Sequence, residues 1–232
     1  MKRVLLKLSG EALSNNSGEI YDISFVERVA DVLKRCVCDG YEVAVVVGAG
    51  NIWRGRQGSN MDQTSADRMG MLATVINSIC LKDALERAGA GAAVMTAVPM
   101  LPLAEAYSSD MASKYLSEGK IVIFGAGLGI PFLSTDTTGA VRAKEIGASE
   151  ILMAKNIDYI YTDDPRKNPD AKKLERVKAS EVLAMNLKAI DATATAFALA
   201  NGIPVKVFGL GEPEDIIKAV RGEVVGTVII PE

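Results

Sequence analysis

Short apolar segments alternate with longer, helix-like ones along the 232-residue chain, and this alternation restricts the fold more than any other feature. Most of the short segments are apolar at every position, as expected for strands buried on both faces of a sheet. Strands separated by helices favour an α/β fold with a largely parallel sheet covered on both sides. The predicted strands are Val4–Leu8, Val43–Gly48, Ala92–Thr96, Ile121–Gly125, Glu150–Met153, Tyr159–Thr162, Val205–Phe208 and Thr227–Ile230. The predicted helices are Ser24–Asp39, Ser65–Ala88, Leu103–Glu118, Thr137–Ile146, Ala179–Met185, Ala189–Ala200 and Glu214–Arg221.

Two segments depart from the simple pattern. The predicted helix Ser65–Ala88 is apolar on nearly every side, so it has to be buried, either in the core of the chain or against a second subunit. The segment Asp163–Lys178 is strongly polar and contains Asp164-Pro165 and Asn168-Pro169, which favour turns. It is predicted to be a solvated loop and a boundary between an N-terminal and a C-terminal half.

Composition excludes several classes of function. The net charge is -3, with 26 basic against 29 acidic residues, which argues against a surface that binds nucleic acid. The chain has no histidine, so catalysis by Ser-His-Asp or Cys-His groups and His-ligated metal sites are excluded. The three cysteines suit reduced thiols in a cytoplasmic protein, and no apolar run is long enough to span a membrane.

Three glycine-containing turns follow three of the predicted strands, at Lys7–Gly10, Gly48–Gly55 and Gly125–Pro131. In open α/β sheets, ligands bind at the carboxyl ends of the strands, where such turns lie. Glycine lets the backbone approach a ligand closely and present N–H groups to an anion. The cations Lys7 and Arg54 stand in two of these turns. A buried lysine such as Lys7 needs an anion, either a carboxylate or a phosphate, and Arg54 suits bidentate contact with a phosphate. The turns therefore predict a site for a phosphorylated ligand, although neither of the common nucleotide-binding glycine fingerprints is complete.

A further motif, Ser134–Gly139, precedes a predicted helix. Its hydroxyl and carboxyl groups favour an N-cap, and a helix N-terminus can also bind phosphate or hold a carboxylate among phosphates. The two roles are compatible.

Taken together, these motifs resemble the amino acid kinase superfamily and, within it, the bacterial UMP kinase (uridylate kinase) family. The resemblance runs from Lys7 to Thr227, and its most specific segment is Asp67–Thr74. The segments that carry it are Lys7–Glu11, Gly48–Asn51, Asp67–Thr74, Ile130–Asp136 and Tyr161–Pro165.

The resemblance implies a three-layer αβα sandwich with a central, mostly parallel sheet, formed by one domain covering residues 1–232. Its N-terminal part, about 1–150, would bind UMP, and its C-terminal part, about 151–232, would bind ATP. The implied activity is transfer of phosphate from ATP, with Mg²⁺, to UMP, which gives UDP for pyrimidine nucleotide synthesis. A cytoplasmic homohexamer with GTP and UTP as effectors is also implied, with no metal bound directly by the protein.

The resemblance also assigns site residues by position. The implied ATP-binding residues are Lys7, Leu8, Ser9, Gly10, Gly50, Arg54, Lys155, Tyr161 and Asp164. The implied UMP-binding residues are Ala49, Asp67, Leu128, Gly129, Ile130, Pro131, Phe132, Leu133, Ser134 and Thr135. The sequence departs from the family pattern at Ala49, Leu128, Ile130, Lys155 and Tyr159. These departures bear on which nucleotides are bound more than on the type of reaction.

Such a reaction suits a chain without histidine. The acceptor is a phosphate whose second pKa is about 6, so it is ionised at pH 7 without a general base. The reaction then needs alignment and neutralisation of charge, which Lys7, Arg54 and the turn amides can supply. Asp136 is the first candidate to organise Lys7 or the water shell of Mg²⁺, and Asp191 is the second.

Two alternatives remain at this point. One is a related kinase that acts on a carboxylate, a carbamate or isopentenyl phosphate, against which the Asp67–Thr74 and Pro131–Asp136 segments argue. The other is a non-catalytic nucleotide-binding, storage or sensor protein on the same fold, in which Lys7, Arg54 and Asp136 would be superfluous.

Overall fold

The computed structural model describes residues 1–14, 19–53, 60–163, 165, 167–187 and 189–231. Its strands are β1 (Lys2–Leu8), β2 (Tyr41–Val47), β3 (Ala92–Thr96), β4 (Glu105–Ala106), β5 (Ile121–Gly125), β6 (Glu150–Lys155), β7 (Ile160–Tyr161), β8 (Lys173–Leu174), β9 (Arg176–Lys178), β10 (Val205–Gly209) and β11 (Thr227–Ile230). Its helices are α1 (Ile23–Cys38), α2 (Gln63–Arg87), α3 (Ser109–Ser117), α4 (Thr135–Glu145), α5 (Ala179–Ala184), α6 (Ala192–Ala200) and α7 (Glu214–Arg221), and a short 3-10 helix covers Gly10–Leu13.

Nine of the strands form one twisted sheet in the order β4-β3-β5-β2-β1-β6-β10-β11-β9. Every neighbouring pair in it is parallel except β10 and β11. The predicted α/β class with a mostly parallel sheet is therefore confirmed. Apart from β11 and β9, the strands of this sheet run in the same direction, so their carboxyl ends lie at one edge.

Helices cover the sheet on both faces and give the expected three layers. The sheet is buried from both sides because successive side chains of a strand point to opposite faces. On β1, Leu6 packs with buried residues of α1, α2 and α7, whereas its neighbour Leu5 packs with buried residues of α3, α4, α5 and α6. Continuous apolar strands such as this one thus mark the middle layer.

The helix predicted over Leu103–Glu118 is too long at its start. Residues Glu105–Ala106 instead extend the edge of the sheet beside β3, and the Tyr107 N–H donates to the carbonyl of Thr96 at 3.0 Å. The helix begins only after Ser108, whose hydroxyl accepts a hydrogen bond from the Met111 N–H. Pairing with the sheet edge therefore competes successfully with the helical pattern.

The polar segment Asp163–Lys178, predicted as a loop, contains strands in its last part. Lys173–Leu174 pairs with Ile160–Tyr161 in a separate two-stranded sheet, so the strand predicted at Tyr159–Thr162 lies outside the main sheet. Residues Arg176–Lys178 form the last strand of the main sheet, beside β11. Charged side chains are suited to such an edge strand, which explains why composition alone suggested a loop.

The described part of the chain covers helix α2 on one side only. Residues on that side, among them Thr74, Asn77 and Leu81, are buried against the rest of the chain. The opposite side carries apolar side chains at spacings of three and four residues, which share one helical face. They are Met69 (38% exposed), Leu72 (51%), Ile76 (51%) and Ile79 (40%), called here the α2 stripe. Packing within one chain therefore explains the apolar residues on the covered face of this helix but not those of the α2 stripe.

Other expectations from composition concern cysteines and membranes. Cys36, Cys38 and Cys80 are all free thiols, and burial raises the pKa of the Cys36 thiol to about 12. Among the described residues, no helix combines the length and the apolar character needed to cross a membrane.

Candidate functional site

The first two glycine turns meet at the carboxyl edge of the sheet, after β1 and β2. These strands are parallel neighbours, with Leu8 opposite Val47, so the turns begin side by side. A Cβ atom on Gly10 would lie 2.5 Å from the Gly48 carbonyl oxygen and 2.7 Å from the Gly50 nitrogen. Since only glycine leaves room there, the backbones of the two turns can approach each other this closely.

The third glycine turn follows β5, on the other side of β2, and is built from left-handed residues. Its φ angles are 60° at Ala126, 57° at Gly127 and 80° at Gly129. The left-handed conformation costs a residue with a Cβ about 1–2 kcal/mol, so Ala126 requires stabilising contacts. One is a hydrogen bond from its N–H to the Thr74 hydroxyl at 2.9 Å.

A buried cluster of charges lies between the first turn and the start of α4. Lys7 Nζ lies 2.8 Å from Asp136 Oδ1, and Lys155 Nζ forms an ion pair with Asp136 Oδ2. Lys155 also donates to the Ala189 carbonyl at 2.5 Å. The side chains of Lys7 and Asp136 are only 10% and 9% exposed. One carboxylate thus holds two ammonium groups, which leaves one positive charge on this trio that an anion can compensate.

The pKa values of this cluster follow from burial and from the neighbouring charges. Burial disfavours the ionised form of Asp136, but the nearby ammonium groups of Lys7 and Lys155 outweigh it and lower the pKa of the carboxyl. Burial also lowers the pKa of the Lys155 amine, and the pairing with Asp136 only partly offsets this. The carboxylate is therefore ionised at neutral pH and fixes the position of both amines.

The second candidate carboxylate, Asp191, is placed at the N-termini of two helices. It caps α6 by accepting from the Ala194 N–H at 2.8 Å, and it accepts hydrogen bonds from the hydroxyls of Ser134 and Thr137. Ser134 in turn caps α4 by accepting from the Asp136 and Thr137 N–H groups. This role explains why α6 begins at Ala192 rather than at the predicted Ala189. The catalytic assignment of Asp191 stays a prediction.

A cavity of about 270 Å³ opens between the second turn, the third turn and α2. It lies next to the charge cluster, because the lining residue Thr135 directly precedes Asp136 in α4. Seven of the ten residues assigned to UMP line it: Ala49, Asp67, Leu128, Ile130, Leu133, Ser134 and Thr135. The other three, Gly129, Pro131 and Phe132, belong to the same loop without lining the cavity.

Asp67 connects α2 with this loop. Its carboxylate accepts hydrogen bonds from the Phe132 N–H at 2.8 Å and from the Gln63 amide at 2.7 Å. The loop is otherwise open at its tip, where the side chains of Ile130 and Phe132 are 55% and 69% exposed. Asp67 therefore holds in place a loop whose apolar residues Leu128, Ile130 and Leu133 line the cavity.

The described residues assigned to ATP lie around the first turn and the β6–β7 connection, except Gly50, which belongs to the second turn and lines the cavity assigned to UMP. Leu8 is buried, and the Ser9 N–H donates to the Ala154 carbonyl at 3.1 Å. The Tyr161 hydroxyl donates to the carboxylate of Asp158 at 3.1 Å. Arg54 and Asp164 lie outside the described residues, so their assignments stay predictions.

Several lining residues were not identified from the sequence. Trp53, the only tryptophan of the chain, lines the cavity and donates its indole N–H to the Ala66 carbonyl at 2.9 Å. Met71 and Thr74 line it from α2, and Thr138 lines it from α4. A signal for Thr74 was available, because it is a polar residue within an otherwise apolar helical pattern. Met71 belongs to the segment Asp67–Thr74 that carries the resemblance, whereas Trp53 has no such signal.

Within the described ranges, no three His, Cys, Asp or Glu side chains gather as a metal site. Mg²⁺ keeps several waters and is often held by substrate phosphates with one or two carboxylates. The residues present fit that mode of binding, with Asp136 next to the expected position of the phosphates.

Comparisons with known proteins agree with this geometry. Residues 2–209 match the amino acid kinase family. The UMP kinase of Bacillus anthracis is 36% identical, with a TM-score of 0.95 over the whole of this chain and 96% of the other. The UMP kinase of Ureaplasma parvum is 34% identical, with a TM-score of 0.93 over 99% and 98% of the two chains. The uridylate kinase of Archaeoglobus fulgidus is 29% identical, with a TM-score of 0.75 over 99% and 100%.

Proposed function

The chain belongs to the amino acid kinase family, and on this premise we propose that it is an ATP-dependent kinase that converts UMP into UDP. The observation that carries the proposal is the position of the cavity beside the buried cluster of Lys7, Asp136 and Lys155. Full-length similarity to two UMP kinases identifies the acceptor. Product UDP would serve pyrimidine nucleotide synthesis.

The proposed reaction is a direct phosphoryl transfer. A UMP phosphate oxygen forms a bond to the γ-phosphorus of ATP, while the bond from that phosphorus to the β–γ bridging oxygen breaks and ADP leaves. The acceptor oxygen is already ionised, so no base has to remove a proton. Lys7 and Lys155 neutralise the charge of the transferred group and the leaving group, and Asp136 holds both amines at the carboxyl edge of the sheet.

The two substrates are assigned to opposite sides of this cluster. UMP would occupy the cavity formed by Ala49, Asp67 and the loop 128–135. ATP would place its phosphates against Leu8, Ser9, Gly10 and Gly50, and its nucleoside near Tyr161, with Arg54 and Asp164 as further predicted contacts. In this arrangement UMP and the ATP phosphates contact the N-terminal part, and the ATP nucleoside contacts the C-terminal part near Tyr161. Mg²⁺ bound with ATP would neutralise phosphate charge.

Replacing Asp67 by alanine is expected to weaken UMP binding more than turnover. The change removes a carboxylate that lines the cavity and frees the Phe132 N–H. Loss of hydrogen bonds to a charged group corresponds to an increase of about 10- to 100-fold in the KM for UMP. Steady-state kinetics measure it, with Asp83→Ala on the exposed far end of α2 as the control. An unchanged KM for UMP in Asp67→Ala would contradict this placement.

The α2 stripe supports assembly with further copies of the chain, which we propose to be a homohexamer. Large contiguous apolar surfaces of soluble proteins are commonly interfaces.

We also propose that nucleotides such as GTP and UTP act as effectors of the enzyme. The free thiols suit the reducing cytoplasm, where we place the enzyme.

Introducing a charge into this stripe is expected to dissociate the assembly. Ile76→Asp would bury an unpaired carboxylate between subunits, which is costly. Light scattering after gel filtration should show a smaller particle. The control, Val224→Asp, changes an apolar side chain that is 82% exposed and lies outside α2, and its mass should equal that of the wild type. An unchanged mass for Ile76→Asp would refute this interface.

The test of the proposed activity is an ADP-release assay with UMP, CMP, glutamate and isopentenyl phosphate as acceptors. We expect UMP to give by far the highest kcat/KM. Preference for glutamate or isopentenyl phosphate would instead identify one of the related kinases. Nucleotide binding without ADP release on any acceptor would identify a storage or sensor protein.

A further inference from the structure

Two buried polar residues interrupt the covered face of α2. Thr74 is 3% exposed and Asn77 is fully buried. They are three residues apart and therefore share one helical face. A buried polar side chain is unfavourable unless it is hydrogen-bonded, so the partners of these two residues show what they hold in place.

Asn77 uses all of its hydrogen-bonding capacity. Its amide nitrogen donates to the Gly48 carbonyl at 2.7 Å and to Asn51 Oδ1 at 2.8 Å. Its amide oxygen accepts from the Tyr21 hydroxyl at 2.7 Å and from Asn51 Nδ2 at 3.1 Å. A side-chain amide has two donors and two acceptor positions, so this set is complete.

The bond to Gly48 determines the orientation of the second glycine turn. In a trans peptide, the carbonyl of Gly48 and the N–H of Ala49 lie in one plane and point in opposite directions. Because Asn77 holds the carbonyl, the Ala49 N–H points away from Asn77. On the preceding side, the Gly48 N–H donates to the Leu8 carbonyl at 2.9 Å. Both peptide planes of Gly48 are thereby fixed.

Thr74 holds the third glycine turn in a similar way. Its hydroxyl donates to the Met71 carbonyl at 2.6 Å and accepts from the N–H of Ala126 at 2.9 Å. Ala126 is the residue with a Cβ that adopts the left-handed conformation in this turn. One face of α2 therefore sets the distance between the turns that follow the neighbouring strands β2 and β5.

We propose that Asn77, together with Thr74, is a positioning residue for phosphoryl transfer. The proposal rests on the proposed function, since the two turns enclose the acceptor cavity and border the donor phosphates. Asn77 acts through the backbone of Gly48 and Ala49. A displacement of about 1 Å between reacting groups lowers rates by about 100-fold. Rotation of the Gly48 peptide would produce a displacement of this order.

The test compares Asn77→Leu, of similar volume, with Ser78→Ala. Ser78 is equally buried on α2, but its hydroxyl donates to the Thr74 carbonyl rather than to a glycine turn. We expect kcat to fall about 100-fold in Asn77→Leu, with KM values for UMP and ATP changed less than about threefold. Ser78→Ala should keep a kcat within about twofold of the wild type.

Two more variants, Asn77→Asp and Tyr21→Phe, test the hydrogen bonds of Asn77. A pH-dependent kcat in Asn77→Asp would not result from a mere loss of stability. In Asn77→Asp, the protonated carboxyl can donate to the Gly48 carbonyl, whereas the ionised form repels it. The ratio of its kcat to that of the wild type should therefore rise as the pH is lowered from 8 to 6. The ratio for Asn77→Leu should stay constant. Tyr21→Phe removes only one hydrogen bond to Asn77 and should lower kcat about fivefold.

The outcomes separate this inference from the proposed function. A wild-type kcat in folded Asn77→Leu, an equal loss in Ser78→Ala, or a loss confined to KM would overturn it. If Asn77→Leu does not fold, the test relies on the pH dependence of kcat in Asn77→Asp and on the kcat of Tyr21→Phe. A pH-independent ratio in the first and a wild-type kcat in the second would overturn the inference. If the wild type does not phosphorylate UMP, the proposed function has failed, and the same variants are compared with the acceptor that the wild type does use.

Discussion

Replacing Lys7 by alanine is expected to lower kcat by about 100- to 1,000-fold, the usual effect of removing one group that stabilises charge in a transition state. Lys7 is a buried cation at the carboxyl end of β1, and its amine lies 2.8 Å from Asp136. The fold should persist, because Asp136 keeps its ion pair with Lys155. UMP affinity should change little, since Lys7 does not line the acceptor cavity.

The control for this variant lies on the same strand. Lys2 is at the amino end of β1, is 40% exposed and forms an ion pair with Glu150, so Lys2→Ala should keep the wild-type kcat. Fluorescence of Trp53, which lines the cavity, reports UMP binding in both variants. A Lys7→Ala enzyme with wild-type turnover would remove Lys7 from the mechanism, and a large loss of UMP affinity would move it to the acceptor side.

Replacing Asp136 by asparagine is expected to lower both activity and stability. The change leaves Lys7 and Lys155 without their carboxylate, so neither amine is held against the phosphates, and kcat should fall about 100-fold or more. Removal of one partner from a buried ion pair lowers the free energy of unfolding by about 3 kcal/mol. Asp39→Asn, which breaks a surface pair with Arg221, is the control and should change both quantities little.

The stability of Asp136→Asn should also depend on pH. Burial already lowers the pKa of Lys155 in the wild type, and loss of the carboxylate lowers it further. Between that lowered pKa and the ordinary lysine value of about 10.4, the unfolded chain binds more protons than the folded one. Stability therefore rises with pH in this range, and more steeply than in the wild type. Urea unfolding at pH 7 and pH 9.5 measures the difference, and equal slopes would contradict it.

The order of strands and helices could largely be predicted from the sequence, because continuous apolar segments are buried on both faces of a sheet. Ala92–Thr96, Ile121–Gly125 and Thr227–Ile230 were predicted with the observed limits. The edge strands at Glu105 and Arg176 could not be predicted. They are short and polar, and they exist because a neighbouring strand offers free backbone groups.

For the candidate site, the sequence indicated which residues could hold phosphate but not how they are arranged. Glycine turns and a lysine in an apolar strand are local signals, so Lys7 and Gly10 were identifiable. The pairing of Lys155 with Asp136 and the role of Asn77 depend on residues 19 and 29 positions away. No local pattern reports such contacts.

The sequence by itself thus determined the α/β class, the absence of histidine chemistry and the residues available to hold phosphate, because these follow from composition, periodicity and motifs. Only the tertiary structure decided that one carboxylate serves two lysines, that one face of α2 holds two turns and that its opposite face is left exposed by the described residues of the chain. The physical reason is that parallel strands bring distant residues to one edge of the sheet. Burial there makes each unpaired charge or polar group costly enough to require a specific partner.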